Sequence, residues 1–69
     1  MPNLWSEIKT ARTYVERGQI IIAAQEAHVR RLQVNGNNSA VSQGLLDTFR
    51  RTQKVLVSDL ARQLSARVL

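Results

Sequence analysis

The chain carries few side chains that could perform chemistry, and their spacing keeps them apart. It has one histidine, five carboxylates and no cysteine. Catalysis needs a nucleophile with its base, or paired carboxylates, held in a pocket. His28 follows Glu26 by two residues, which places them on different faces of a helix and not in the i, i+3 or i+4 stack of a helical metal pair. We therefore expect no catalytic residue, no metal site and no cofactor, and we predict that the protein is not an enzyme.

The basic residues are the second group that could bind a ligand. Ten Lys and Arg against five Asp and Glu give a net charge of +5, which is compatible with a nucleic-acid partner. Along the outer side of the second predicted helix lie Arg50, Arg51, Lys54 and Arg62. Such residues bind phosphates without sequence preference, but the neighbouring Phe49 belongs to the apolar face and cannot stack on bases. Three interpretations stay open: a solvated face, a phosphate-binding ribbon, and contact with an anionic membrane surface through Trp5.

Two long helices joined by one turn must position these residues. Pro occurs once, and the only dense cluster of turn-forming residues is VNGNNS at residues 34–39. The pattern predicts helices at about residues 4–34 and 39–68 and a turn at about 35–38, within a single domain of residues 1–69. Gly36 is expected as the left-handed residue after the first helix, and Asn38 or Ser39 as the cap of the second.

The residues of the first half repeat at alternating steps of four and three, which is the spacing of a heptad seam. The seam consists of Leu4, Ile8, Ala11, Val15, Gly18, Ile22, Gln25, Val29 and Leu32. Because a short connection makes neighbouring helices antiparallel, we expect an all-α helical hairpin. In the expected register Gly18 lies opposite Leu56. Gln25 then lies opposite Phe49, and we interpret Gln25 and Gln53 either as a polar layer that specifies register or as solvated side chains at the rim.

Three consecutive isoleucines, at residues 20–22, point to three sides of the first helix, and only Ile22 belongs to the seam. A second stripe lies across the other side of the helix and consists of Ile20, Ala23, Ala24 and Ala27, and we expect Ile20, Ile21, Ala24 and Ala27 to lie at an oligomer interface. A chain of 69 residues has a marginal core, and no disulfide supports it. We expect the stripe to be an oligomer interface, with two antiparallel hairpins dimerising into a four-helix bundle. Alternatively, Ile20 is one exposed apolar residue without consequence.

The sequence also bears on location. The longest wholly apolar stretch, residues 20–24, is far shorter than the ~20 residues that cross a bilayer. The first residues lack the basic and apolar regions of a signal peptide. We expect a cytoplasmic protein with no membrane span.

A series of residues from Tyr14 to Leu60 resembles a group of small uncharacterised alphaproteobacterial proteins. The matching residues are Gly18, Gln19, Gln25, Leu32, Gly36, Leu45, Leu46, Thr48 and Phe49. The chain departs from the group at residues 37–39, which are Asn-Asn-Ser where the group has His-Asp-Thr. It departs again in the second helix, where Lys54, Val57 and Ser58 stand in the region of the group's histidines and Arg-Asp pair. The resemblance implies a helical hairpin in a bacterial cytoplasm, and no functional residue is carried over because the group has no assigned activity.

Two classes of function remain. The first is a structural or protein-interaction module, a homo-oligomeric hairpin, most simply a homodimer, whose outer surface can dock another protein. The second is a basic hairpin that binds the backbone of RNA or DNA through the four basic residues of the second helix.

Overall fold

The protein is two long helices packed side by side. The structure, a computed structural model, describes the backbone of residues 4–68 and the side chains of residues 5–66. α1 spans Leu4–Val34 and α2 spans Ala40–Val68, and together they make a rod of 52 × 17 × 15 Å. The predicted all-α helical hairpin is confirmed. In the described part of the chain, neither helix combines the length and the apolarity that crossing a bilayer requires.

Gly36 ends the first helix. Its φ is +73°, the left-handed conformation that a residue without a Cβ adopts at little cost. The N–H of Gly36 donates to the carbonyl of Gln33 at 3.1 Å, and the N–H of Asn37 donates to the carbonyl of Leu32 at 2.8 Å. This pair of bonds is the Schellman motif, which satisfies carbonyls that the last turn of a helix leaves free. The predicted role of Gly36 is confirmed.

Asn38 caps the second helix. Its side-chain oxygen accepts a hydrogen bond from the N–H of Ala40 at 2.9 Å, which satisfies one of the free donors at the helix start. Ser39 is buried and its hydroxyl accepts a hydrogen bond from the Gln43 amide at 2.7 Å. The two residues proposed as alternative caps therefore both stabilise the first turn of α2, and Asn38 supplies the bond to the backbone.

The core of the hairpin is thin. Its buried apolar side chains are Ile8, Val15, Val29 and Leu46, and no side chain among residues 5–66 is completely buried. Three of these four occupy seam positions of α1 one or two heptads apart, as predicted, and Ile22, at the remaining position of that row, is half-buried. The side chain of Leu4, which the seam also includes, lies outside the described residues. Two helices in contact along one line can cover only a narrow stripe of each other.

Two glutamines join the helices across this stripe. The Gln53 amide donates to the carbonyl of Val15 at 2.9 Å, and the Gln25 amide donates to the carbonyl of Ser42 at 3.0 Å. Val15 and Gln25 lie ten residues apart on α1, or about 15 Å at 1.5 Å per residue, so the glutamines form two separate links and not one polar layer.

The side chain that covers Gly18 is Gln53, and the expected Leu56 lies one turn further along α2. A Cβ at Gly18 would overlap the Oε1 atom of Gln53. Gly18 therefore packs against the Gln53 amide where Leu56 was expected, and Gln25 reaches Ser42 and not Phe49. The reason is physical: leucines gain similar contacts when helices slide by a turn, whereas an amide gains a hydrogen bond only where it reaches a carbonyl, and the missing Cβ of Gly18 opens that approach.

Candidate interaction surface

A groove runs along one side of the hairpin, between α1 and α2. Its central part has a volume of about 620 Å³. Tyr14 and Ile21 form its wall on α1, and Phe49 and Leu56 form its wall on α2. We call these four residues, together with the Thr52 side chain between the last two, the groove face. Among the described residues that line this part, Arg17 alone is charged, so the surface is apolar at its centre.

The groove continues towards the chain termini and becomes acidic there. Tyr14 and Leu56 also line this second part, together with Glu7, Asp59 and Gln63. The Oε1 atom of Gln63 is buried and accepts no hydrogen bond from the described residues. The two parts share Tyr14 and Leu56 and therefore adjoin, one apolar and the other polar.

Large apolar side chains are exposed on every side of the rod. The exposed fraction is 48% for Ile21, 70% for Ile20 and 87% for Val41. The other exposed large apolar residues are Trp5, Tyr14, Val34, Leu45, Val55, Val57 and Leu64. Single exposed apolar residues are normal in monomers, but ten exposed large apolar side chains against four buried ones is a high ratio for the described residues.

One of the four residues of the predicted oligomer interface lies on a different surface from the other three, which recur at steps of four and three along one side of α1. Ile21 is in the groove. Ile20 and Ala24 are exposed on the side of α1 that faces away from α2. Ala27 is half-buried and lines a separate depression near the turn, beside Arg30 and Arg31. Successive residues of a helix are rotated by about 100° about its axis, so adjacent isoleucines necessarily lie on different sides of the helix.

Tyr14, Phe49 and Leu56 were not included in the predicted interface, although the sequence contains a signal for them. Tyr14 and Ile21 are seven residues apart, and Phe49 and Leu56 are also seven residues apart. A spacing of seven places two residues on the same side of a helix, two turns apart. The heptad pattern by itself places Phe49 and Leu56 in the contact with α1. They stay partly exposed because two helices cover only a narrow stripe of each other.

Two of the four basic residues predicted to contact phosphates have carboxylate partners within the hairpin. Arg50 lies 3.7 Å from Glu26 on α1, and Arg62 forms an ion pair with Asp59. Both pairs are largely exposed and contribute little to stability. Arg51 and Lys54 are exposed, and within residues 5–66 the structure gives neither an ion pair.

The described residues place no cluster of three or more histidine, cysteine, aspartate or glutamate side chains that could hold a metal ion. His28 is exposed and Glu26 is half-buried. Glu26 is engaged with Arg50 across the helices.

Comparisons with protein families, with curated proteins and with solved structures found no match for this chain.

Proposed function

We propose that this protein is a small non-enzymatic structural or protein-interaction module that works as a homo-oligomeric helical hairpin. Its basic assembly is a homodimer in which two hairpins form a four-helix bundle in the cytoplasm. The outer surface of such a bundle remains available for a second protein.

The observation that carries this proposal is the balance between buried and exposed apolar side chains. Four are buried among residues 5–66, and none of them completely. So few buried side chains leave little hydrophobic stabilisation to offset the conformational entropy that folding costs. A second copy that covers exposed apolar residues supplies burial that one hairpin lacks, because a small chain without disulfides or metals has few other ways to gain it.

Binding to nucleic acid is the weaker candidate. Arg50 and Arg62 already face Glu26 and Asp59, and these carboxylates would repel a phosphate backbone. Arg51 and Lys54 alone make a short phosphate-binding surface.

The native mass in solution tests the proposal. The monomer has a mass of 7.8 kDa, and light scattering coupled to size-exclusion chromatography is expected to give twice that value at micromolar concentration. Circular dichroism of the same sample should show a helical protein. A well-folded helical species with the monomer mass, persisting as the concentration is raised, would contradict the proposal.

A further inference from the structure

The groove face brings large aromatic and aliphatic side chains together on one side of the hairpin. Both helices contribute to it, with Tyr14 and Ile21 from α1 and Phe49 and Leu56 from α2. Leu45, 46% exposed, precedes Phe49 by one helical turn and extends the same apolar surface towards the turn. A helix that packs on this surface meets apolar side chains from two elements held at a fixed distance.

Charge is distributed unequally between the two sides of the hairpin. Opposite the groove lies the ion pair of Glu26 and Arg50, one turn from Arg30 on α1 and one turn from Lys54 on α2. In the centre of the groove, Arg17 is the one charged residue among those described. Copies of a chain with a net charge of +5 repel one another, and like charges in contact cost free energy. Two copies can therefore approach through the groove with less repulsion than through the charged side opposite it.

The dimensions of the groove side match what a stable dimer needs. The rod is 52 Å long and 17 Å wide, so a contact along its length approaches the ~800 Å² per partner that standard protein interfaces bury. The other occupant considered for an apolar groove is a single helix of another protein, which covers a narrower strip. A second hairpin brings two helices and fills the width of the side.

We propose that the groove face, centred on Tyr14, Ile21, Phe49 and Leu56, is the surface through which two copies of this chain pair. This inference rests on the proposed function and specifies where the dimer contact lies. The two copies are related by a two-fold axis that crosses the groove, so each residue of the face meets the equivalent surface of the other copy. The side of α1 that carries Ile20 and Ala24 stays outside this contact.

The adjacent isoleucines provide a matched pair of variants. Ile20 and Ile21 have the same side chain, occupy the same part of α1 and are both exposed in the single hairpin. They differ by about 100° around the helix, which places Ile21 in the groove and Ile20 outside it. Ile20→Glu and Ile21→Glu therefore carry equal changes in charge and helix propensity.

The dissociation constant of the dimer, measured by analytical ultracentrifugation, tests the inference. Ile21→Glu is expected to weaken the dimer at least tenfold, because it places a carboxylate in the apolar contact, and tenfold corresponds to about 1.4 kcal/mol. Ile20→Glu should leave the dissociation constant within a factor of two or three. Equal effects of the two variants, or a larger effect of Ile20→Glu, would overturn the inference while the dimer itself stands.

Cross-linking provides a second measurement that does not depend on weakening the protein. The chain has no cysteine, so Thr52→Cys and Lys54→Cys each introduce a unique thiol near the middle of α2, one in the groove and one on the charged side. A short bis-maleimide should join two copies through residue 52 far more efficiently than through residue 54. Preferential joining through residue 54 would contradict the inference. A monomeric parent protein would instead contradict the proposed function and the inference together.

Discussion

Gly18 and Gln53 form a matched pair at the centre of the hairpin. The Gln53 amide reaches the carbonyl of Val15 because Gly18 has no Cβ in its path. The Oε1 atom of Gln53 is buried there and accepts no hydrogen bond from the described residues. An interior glycine costs a helix about 1 kcal/mol relative to alanine. The hydrogen bond between the helices and the close packing above Gly18 offset this cost.

A double-mutant cycle measures the coupling of these two residues. Gly18→Ala should be neutral or destabilising in the natural chain, because the gain in helix propensity is cancelled when the Gln53 side chain is displaced and its bond to Val15 is lost. In a Gln53→Ala background the same substitution should raise the free energy of unfolding by about 0.5–1 kcal/mol. Urea denaturation at a fixed protein concentration gives both values. An equal effect of Gly18→Ala in the two backgrounds would show that the residues are independent.

At the scale of the elements, the turn decides where each helix stops. The left-handed Gly36 and the Asn38 side chain complete the hydrogen bonding of α1 and α2 within five residues, 35–39. Neither residue depends on contacts across the hairpin. The turn is therefore encoded locally, and this explains why the sequence predicts it well.

Two glycine substitutions with opposite expected signs test this role of the turn. A Cβ at Gly36 meets nothing within 4 Å, so Gly36→Ala acts only through the left-handed backbone and should lower the free energy of unfolding by about 1–2 kcal/mol. Gly44, inside α2, is equally open, and Gly44→Ala should raise it by about 0.5–1 kcal/mol. Thermal or urea unfolding followed by circular dichroism checks both. A neutral Gly36→Ala would contradict the local account of the turn, and Gly44→Ala is the control for an alanine placed on an ordinary helical backbone.

The elements and the turn could be predicted because heptad spacing and turn chemistry are local properties of the sequence. The partner of Gly18 could not, since Leu56 and Gln53 both lie on the face of α2 turned towards α1, and the alignment depends on the hydrogen bonds from Gln53 to Val15 and from Gln25 to Ser42. The candidate surface was predicted in part. Ile21 was named, whereas Tyr14 and Phe49 were missed, because the remaining exposure of a residue depends on how deeply two helices pack and a sequence pattern does not give that depth.

For the whole molecule, stability depends on the ratio of surface to interior. A rod two helices wide has no position enclosed on all sides, which agrees with the absence of a completely buried side chain among residues 5–66. Most of the folding free energy of a dimeric bundle would then come from the contact between copies, and folding would be coupled to association.

This coupling predicts that thermal stability depends on concentration. The melting temperature should rise steadily across about a hundredfold increase in protein concentration, because mass action favours the associated folded state over unfolded monomers. Circular dichroism melts at several concentrations, with different path lengths, measure the shift. Ile21→Glu should flatten the dependence and Ile20→Glu should keep it. A melting temperature of the natural chain that does not change with concentration would show that one hairpin is stable by itself.

The short connection between the helices affects whether two copies can exchange helices. Only residues 35–39 separate α1 from α2, and Gly36 supplies the left-handed step that reverses the chain. If that step were lost, the two helices could continue as one long rod, and α1 of one chain could pack on α2 of another with the same side-chain contacts. Such domain swapping yields a dimer of the same mass with a different topology, so the left-handed step at Gly36 favours the hairpin that is closed within its own chain.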